Sequence, residues 1–314
     1  MGMLVRTAAR IERAAARLAR RGRAALRVVP RLVSGYYRLA RQRDLLRRVD
    51  WNVLVILDSC RADFFRRVEQ RGVRTVRSMG PCTRIWIRQF ARLLRQARYG
   101  EDVLWCTANP LIDSARIEYG VTGVRLMSVW QERWERLGKT GIPSVHPDAV
   151  NEEVLAYVRE HGQPRRMIVH YLQPHSPYVG QTELAVALWG DRLKDPLSAV
   201  LKGLKDPEAA VADGDITWDL LRRAYADNLR LVWEATLRLV EGLKGTVVVT
   251  ADHGEVIGEG GRWGHNCTWQ HEVLRLVPWL EFDKGPFRPA PLAATDEPSS
   301  ERLMRERLEY LGYL

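Results

Sequence analysis

Two apolar runs, WNVLVILD at residues 51–58 and TVVVT at 246–250, each end on or one residue short of an aspartate. Neither alternates between apolar and polar positions. A strand of this kind is buried on both faces, which points to a parallel sheet covered by helices rather than a sheet with one wet side. The segments around them keep the same rhythm. Residues 102–107, 124–130 and 167–172 read as further strands, and residues 61–70, 84–98, 148–162 and 217–243 as helices, with Asp148 as a cap and Gly162 as a stop. The alternation predicts an α/β fold: a largely parallel central sheet with helices on both faces. Residues 176–215, rich in Gly, Asp and Lys-Asp-Pro turns, break the rhythm and read as an insertion. The Pro- and Ala-rich stretch 282–300 reads as a surface run and 301–311 as a closing helix, so 282–314 forms a C-terminal tail.

The chain has 314 residues, 46% hydrophobic, with 11 Trp and 10 Tyr, which suits a packed core and excludes a disordered chain. Its net charge of +11 is concentrated. Residues 1–50 carry fourteen arginines against Glu12, Asp44 and Asp50, leaving 35 of the 49 basic and 35 of the 38 acidic residues to cancel in the rest. The domain reading is therefore an arginine-rich arm, 1–49, before a neutral body, 50–314. In the arm Leu4, Ala8, Ile11, Ala15 and Leu18 recur at helical spacing. Arg6, Arg10, Arg13, Arg17 and Arg20 follow two residues later, about 200° around a helix. Such a basic amphipathic helix suits an anionic membrane surface through residues 1–30; nucleic acid ranks below that, and a solvated helix is the plain alternative. Four cysteines without a CxxC pair suggest no disulfide framework. No segment is apolar for long enough to span a bilayer, and no secretory signal is visible. Together these predict the cytoplasm, with contact to the inner face of the membrane through the arm. Cys60, Cys106 and Cys267 read as small core residues.

The polar residues collect at strand ends. Asp58 closes the first run, and Cys82 and Thr83 stand at the start of a helix. His170 and His175 occupy the end of the 167–172 strand and the turn behind it. TADHGE puts Asp252 and His253 after the last run, and GRWGH brings His265 after a glycine-rich turn. The C-terminal ends of parallel strands share one edge, where open α/β proteins bind ligands. Carboxylate with neutral imidazole suits zinc or manganese better than calcium. Asp58, Asp252 and His253 form a candidate set for one ion, with Thr83 as a fourth oxygen donor. A threonine hydroxyl beside a divalent cation and a helix N-terminus becomes a competent nucleophile, and the same helix end accepts an anion. His175 and His265 would complete a second site or donate to the anion. His170 faces either core or site, and Arg84, on the helix behind Thr83, is a candidate for an anionic substrate or for a solvated face. A surface turn rich in Gly, Asp and His is the plain alternative for 250–265.

In order along the chain, LDSCRAD, GPCT, HYLQPHSPY, TADHGE and GRWGHN resemble the alkaline phosphatase superfamily, most closely its sulfatase-like branch. The closing LEYLGYL is a weaker match of the same kind. The resemblance covers residues 50–314 and leaves the arm outside. It implies an alkaline phosphatase-like fold and a metal-dependent hydrolase or transferase of phosphate or sulfate esters that works through a covalent enzyme ester. By match, Asp58, Asp252 and His253 are metal ligands and Thr83 is the nucleophile. His175 and His265 serve a second metal or the substrate, and Arg61 assists the anion. Two departures follow. The sulfatase pattern C-x-P-x-R lacks its proline and arginine after Cys82, so formylglycine is not expected and phosphate chemistry is favoured, with Cys82 as a rival nucleophile. Tyr171 stands where two-metal members place an aspartate, which leaves open one ion or two. A sulfatase without formylglycine and a metal-binding scaffold without turnover are the competing expectations.

Overall fold

The structure, a computed structural model, describes residues 39–96, 103–119, 124–138, 141–182, 207–292 and 301–311. The expected arm helix and residues 183–206 of the expected insertion lie outside them. From Arg41 the chain forms one compact unit. It opens with α1 (Gln42–Arg48), β1 (Val53–Asp58), α2 (Ala62–Val68), β2 (Arg74–Arg77), α3 (Thr83–Gln96) and β3 (Val103–Thr107). There follow α4 (Leu111–Glu118), β4 (Val124–Ser128), α5 (Val129–Glu132), the small hairpin β5 (Glu135–Leu137) and β6 (Ile142–Ser144), α6 (Pro147–His161) and β7 (Arg166–Pro174). The last part holds α7 (Pro207–Ala212), α8 (Trp218–Glu241), β8 (Thr246–Thr250), the short pair β9 (Val256–Ile257) and β10 (Trp263–Gly264), β11 (Leu276–Asp283) and α9 (Glu301–Leu311).

Seven strands form the main sheet in the order β2-β11-β8-β1-β7-β3-β4. The five from β8 to β4 are parallel, as the unalternated apolar runs of β1 and β8 suggest, and Val55 at the centre pairs with Val169 on one side and Val249 on the other. All six residues of β1, all five of β3 and all nine of β7 are buried. Each fully buried aliphatic side chain contributes about 1.5–3 kcal/mol, which makes this centre a stiff platform for whatever stands at its end. The sheet is mixed because β11 runs antiparallel between β8 and β2. That strand is not legible beforehand: Pro278, in its middle, offers no N–H and counts against a strand. The expected strand 124–130 ends at Ser128, and Val129–Glu132 turns helical.

Helices cover both faces. On one, Phe65 of α2 packs edge-on against Trp233 of α8, and Asn151 of α6 donates to the Ala235 carbonyl of α8 at 2.8 Å. On the other, Trp86 and Phe90 of α3 stack on each other at 4.7 Å, and Phe90 meets Trp105 of β3. The cap of α6 is His146, whose Nδ1 accepts from Asp148 N at 3.2 Å; Pro147 fills the first helical position, so the expected Asp148 sits one step inside and pairs instead with Arg238. Of α9, Leu308, Tyr310 and Leu311 are buried, with the Tyr310 ring edge-on to Trp134.

Candidate active site

β8, β1, β7 and β3 all end at the same edge of the sheet, and the residues there point at one another. Asp58 is the last residue of β1, where the pairing with β7 slips so that Asp58 lies opposite Pro174. Ser59 follows with φ of 60°, a left-handed backbone that is uncommon outside glycine and asparagine. The turn serves both acids: Ser59 N donates to Asp252 Oδ1 at 3.0 Å, and Ser59 Oγ to Asp58 Oδ1 at 3.1 Å. Asn109, two residues past β3, donates through Nδ2 to Asp58 Oδ2 at 2.6 Å. Asp58, Thr83, Asp252 and His253 are all at 0% exposure.

Asp58, Asp252 and His253 offer ligand atoms that lie within 4.8 Å of one another. His253 Nδ1 is 2.7 Å from the Gly254 carbonyl, which only accepts, so that nitrogen carries the proton and Nε2 presents its lone pair. Nε2 lies 3.0 Å from Thr83 Oγ1, 3.3 Å from Asp252 Oδ2 and 3.9 Å from Asp58 Oδ1. Thr83 opens α3, so its hydroxyl stands at the positive end of a 14-residue helix. Burial and the Asp58 carboxylate push the Asp252 carboxyl well above its ordinary range. Burial alone would raise Asp58 too, but His170, His175 and His253 outweigh it and hold that carboxyl below its ordinary range. Burial drives His253 well below its ordinary value, so the imidazole is neutral. Two buried acids converge on one neutral nitrogen, and Asp252 Oδ2 has no hydrogen-bond partner in good geometry. An apolar interior tolerates such a set when a cation sits among them, and the donors suit zinc or manganese.

A second group adjoins the first. Ligand atoms of His175, Glu255 and His265 also lie within 4.8 Å of one another, and the His265 ring is 4.3 Å from that of His253 and 5.0 Å from that of His175. His175 Nδ1 donates to the Ser176 carbonyl, leaving Nε2 unprotonated, and burial lowers its pKa. His265 Nδ1 meets Glu255 Oε1 at 3.0 Å. Burial would lower the His265 pKa, but Glu255 outweighs it and the imidazole stays protonated above its ordinary value.

Other expected residues stand elsewhere. Cys82 forms a disulfide with Cys267, so neither is a free thiol, and Cys267 is exposed rather than a core residue. That removes Cys82 as nucleophile and as a formylglycine precursor, and it departs from the expectation that the cysteines form no disulfide framework. Cys60 and Cys106 are buried and free. Arg61 is turned away from the acids: its guanidinium holds Asp63 at 2.8 Å, Glu259 at 2.6 Å and the Glu255 carbonyl at 3.1 Å, which makes it a brace of the 255–259 loop. Arg84 faces Glu118 at 3.5 Å. His170 lies behind Asp58, with Nε2 3.5 Å from Oδ2 and its ring parallel to Trp105, so it backs the carboxylate instead of facing the open side. Alternation along β7 sends Tyr171 to the opposite face, where its hydroxyl donates to Asn151. The sequence reading missed Ser59, Asn109 and Glu255. Glu255 was within reach as the last letter of TADHGE, and Asn109 by the same strand-end rule that found Asp58.

No family model and no curated protein matches the chain. Among solved structures, the soluble domain of lipooligosaccharide phosphoethanolamine transferase A from Neisseria meningitidis is similar with a TM-score of 0.51 at 14% identity, over 78% of this chain and 76% of that one. The fold is alkaline phosphatase-like, as in that domain. The integral membrane form of the Neisseria meningitidis transferase is similar at a TM-score of 0.50 and 13% identity, over 78% of this chain; the chain spans 48% of that protein's length. At such identities the likeness is one of fold alone. No described helix is long and apolar enough to cross a membrane.

Proposed function

We propose that the chain is a metal-dependent hydrolase or transferase of phosphate esters with Thr83 as nucleophile. The observation that carries this reading is Thr83 Oγ1, set at a helix N-terminus 3.0 Å from His253 Nε2 and beside the paired carboxylates of Asp58 and Asp252. A divalent cation held by Asp58, Asp252, His253 and Thr83 would neutralise the two acids and lower the pKa of the adjacent hydroxyl. Thr83 Oγ1, its proton lost to solvent, forms the bond to phosphorus as the bond from phosphorus to the ester oxygen opposite breaks. The first N–H groups of α3 stabilise the charge on the non-bridging oxygens. His265, protonated through Glu255, supplies a proton to the departing oxygen when a single ion is present; with Glu255 and His175 it would hold a second ion otherwise. Water or an acceptor alcohol then releases the group from Thr83. Glu255 supports the two-ion reading, because it provides the second group with a carboxylate that Tyr171 does not.

The disulfide at Cys82 supports phosphate over formylglycine-based sulfate chemistry, and an oxidising compartment over the cytoplasm. We assign residues 1–40 to a basic arm, shorter than the expected 1–49 because Gln42–Arg48 belongs to the compact unit, with an anionic membrane surface as its partner, and residues 41–314 to the catalytic domain. The test joins metal analysis to turnover of an aryl phosphodiester, a phosphate monoester and an aryl sulfate by wild type, Thr83→Ser and Thr83→Ala. Wild type should carry one or two zinc or manganese ions, and Thr83→Ala should lose turnover by several orders of magnitude. Full turnover by Thr83→Ala, or protein free of divalent metal and still active, would end the reading. Bound metal with no turnover of any ester would favour a scaffold.

A further inference from the structure

The disulfide joins two segments that each carry a residue of the site. Cys82 immediately precedes Thr83, and Cys267 follows His265 by two residues; the two cysteines are separated by 185 in sequence and their Cα atoms are 5.2 Å apart. The two ends differ in stiffness. On the Cys82 side, Ser78 Oγ donates to the carbonyls of Asp252 and Gly80. A Cβ on Gly80 would lie 2.5 Å from Trp86 N, and Trp86, fully buried, donates to Gln42. On the other side, residues 266–268 are exposed. Among the described residues, the hydrogen bonds of segment 266–270 stay within the segment: Thr268 N and Oγ to Asn266 Oδ1, and Trp269 N to Asn266 O. Beyond the crosslink, the Arg262 guanidinium stands over the Trp269 ring, Glu255 holds His265, and the His265 ring lies against those of His253 and His175. A ring of contacts therefore runs from Thr83 to His253, across to His265, along to Cys267, and back through the S–S bond to Cys82.

We propose that Cys82–Cys267 is a positioning crosslink: it fixes His265 at its distance from Thr83, and its reduction uncouples the two. In the reduction a dithiol delivers two electrons and two protons, the S–S bond breaks, Cys82 and Cys267 become thiols, and the dithiol closes to its own disulfide. The loop that bears His265 then loses its one covalent hold on the nucleophile helix. His265 no longer meets an anion at the separation that Thr83 attack requires. The crosslink touches no substrate and acts through His265. Its kinetic consequence rests on the catalytic reading above; its structural consequence does not.

The experiment uses the full chain. Non-reduced peptide mapping should recover Cys82 and Cys267 in one linked pair. Wild type is then compared oxidised, reduced with dithiothreitol and desalted without air, and reoxidised, alongside Cys267→Ala. Amide exchange over residues 258–272 should quicken by about tenfold or more in the reduced and Cys267→Ala proteins, while β1 and β8 keep their protection. For an aryl phosphodiester, kcat should fall by about tenfold with a much smaller change in KM, since His265 serves the departing oxygen in the chemical step rather than capture. Reoxidation should restore wild type and leave Cys267→Ala unchanged. Unlinked cysteines in the map, equal exchange in both redox states, or an unaltered kcat would overturn the proposal. If no ester is turned over in any state, the catalytic reading fails, and exchange alone decides the crosslink.

Discussion

Tyr225→Phe removes one oxygen and exposes how the site is held. The Tyr225 hydroxyl, on the wholly buried face of α8, donates to the Ser59 carbonyl at 2.7 Å and accepts from Arg61 N at 2.9 Å. Burial pushes its pKa well up, so it is a neutral phenol that keeps its proton. It therefore caps both ends of the left-handed turn that follows Asp58. Phenylalanine fills the same space and leaves a backbone carbonyl and a backbone N–H without partners. Each buried orphan costs about 1–3 kcal/mol, so the pair predicts a loss of about 2–6 kcal/mol. For a body of this size that is a fall in Tm of roughly 4–15 °C. Urea titration should give a lower midpoint at an unchanged slope, because the folded surface is the same. Metal affinity should fall with it, since the Ser59 turn donates to Asp58 and to Asp252. A stability loss below about 0.5 kcal/mol would refute the view that Tyr225 holds the turn.

Gly254→Ala should be far more damaging than its single methyl suggests: a Cβ there would lie 2.0 Å from the Val273 carbonyl oxygen, while Gly254 N already donates to Leu274 O. The His253–Glu255 segment must shift, so metal content and turnover should both collapse; an alanine variant with normal metal content would show that the segment can move freely. Glu259→Gln tests the brace around Arg61. Burial would raise the Glu259 carboxyl, but the Arg61 pair outweighs it and holds it below its usual 4.5. A depressed carboxyl stabilises the fold above its unfolded value and loses that contribution as pH falls through the folded one. Wild type should therefore exceed Glu259→Gln in stability at pH 7, and the gap should close on acidification below about pH 4.5. A gap that stays constant into acid would assign the effect to something other than the ion pair.

The sheet was legible because burial on both faces leaves a mark in the sequence: β1, β3 and the centres of β7 and β8 are apolar runs that do not alternate. The candidate residues at the sheet edge stood out for a related reason. Metal and phosphoryl chemistry admit few side chains, so Asp58, Thr83, Asp252, His175, His253 and His265 stand out at strand ends and turns, and the structure brings them together. Supports carry no such mark. A serine in a left-handed turn, an asparagine past β3 or a tyrosine on a distant helix supplies an ordinary hydrogen bond that many residues provide elsewhere, and its partner is set by the fold alone. Arg61 failed for the converse reason: its place beside Asp58 in the sequence suggested an anion contact, but Asp63 lies two residues on and Glu259 folds back to meet it.

The Cys82–Cys267 bond marks the limit most clearly. Its halves lie 185 residues apart with no spacing rule to join them, and each has a plausible separate reading, one as nucleophile and one as core residue. Their proximity follows from two facts that are each partly legible: Cys82 precedes the first residue of α3, and Cys267 trails a histidine that must return to the same strand ends. If His265 belongs beside His253 and Thr83 opens the nucleophile helix, residues one and two steps away from them are within crosslinking reach. The bond is a corollary of the site, and a sequence read for chemistry before cysteine spacing would have had reason to pair them.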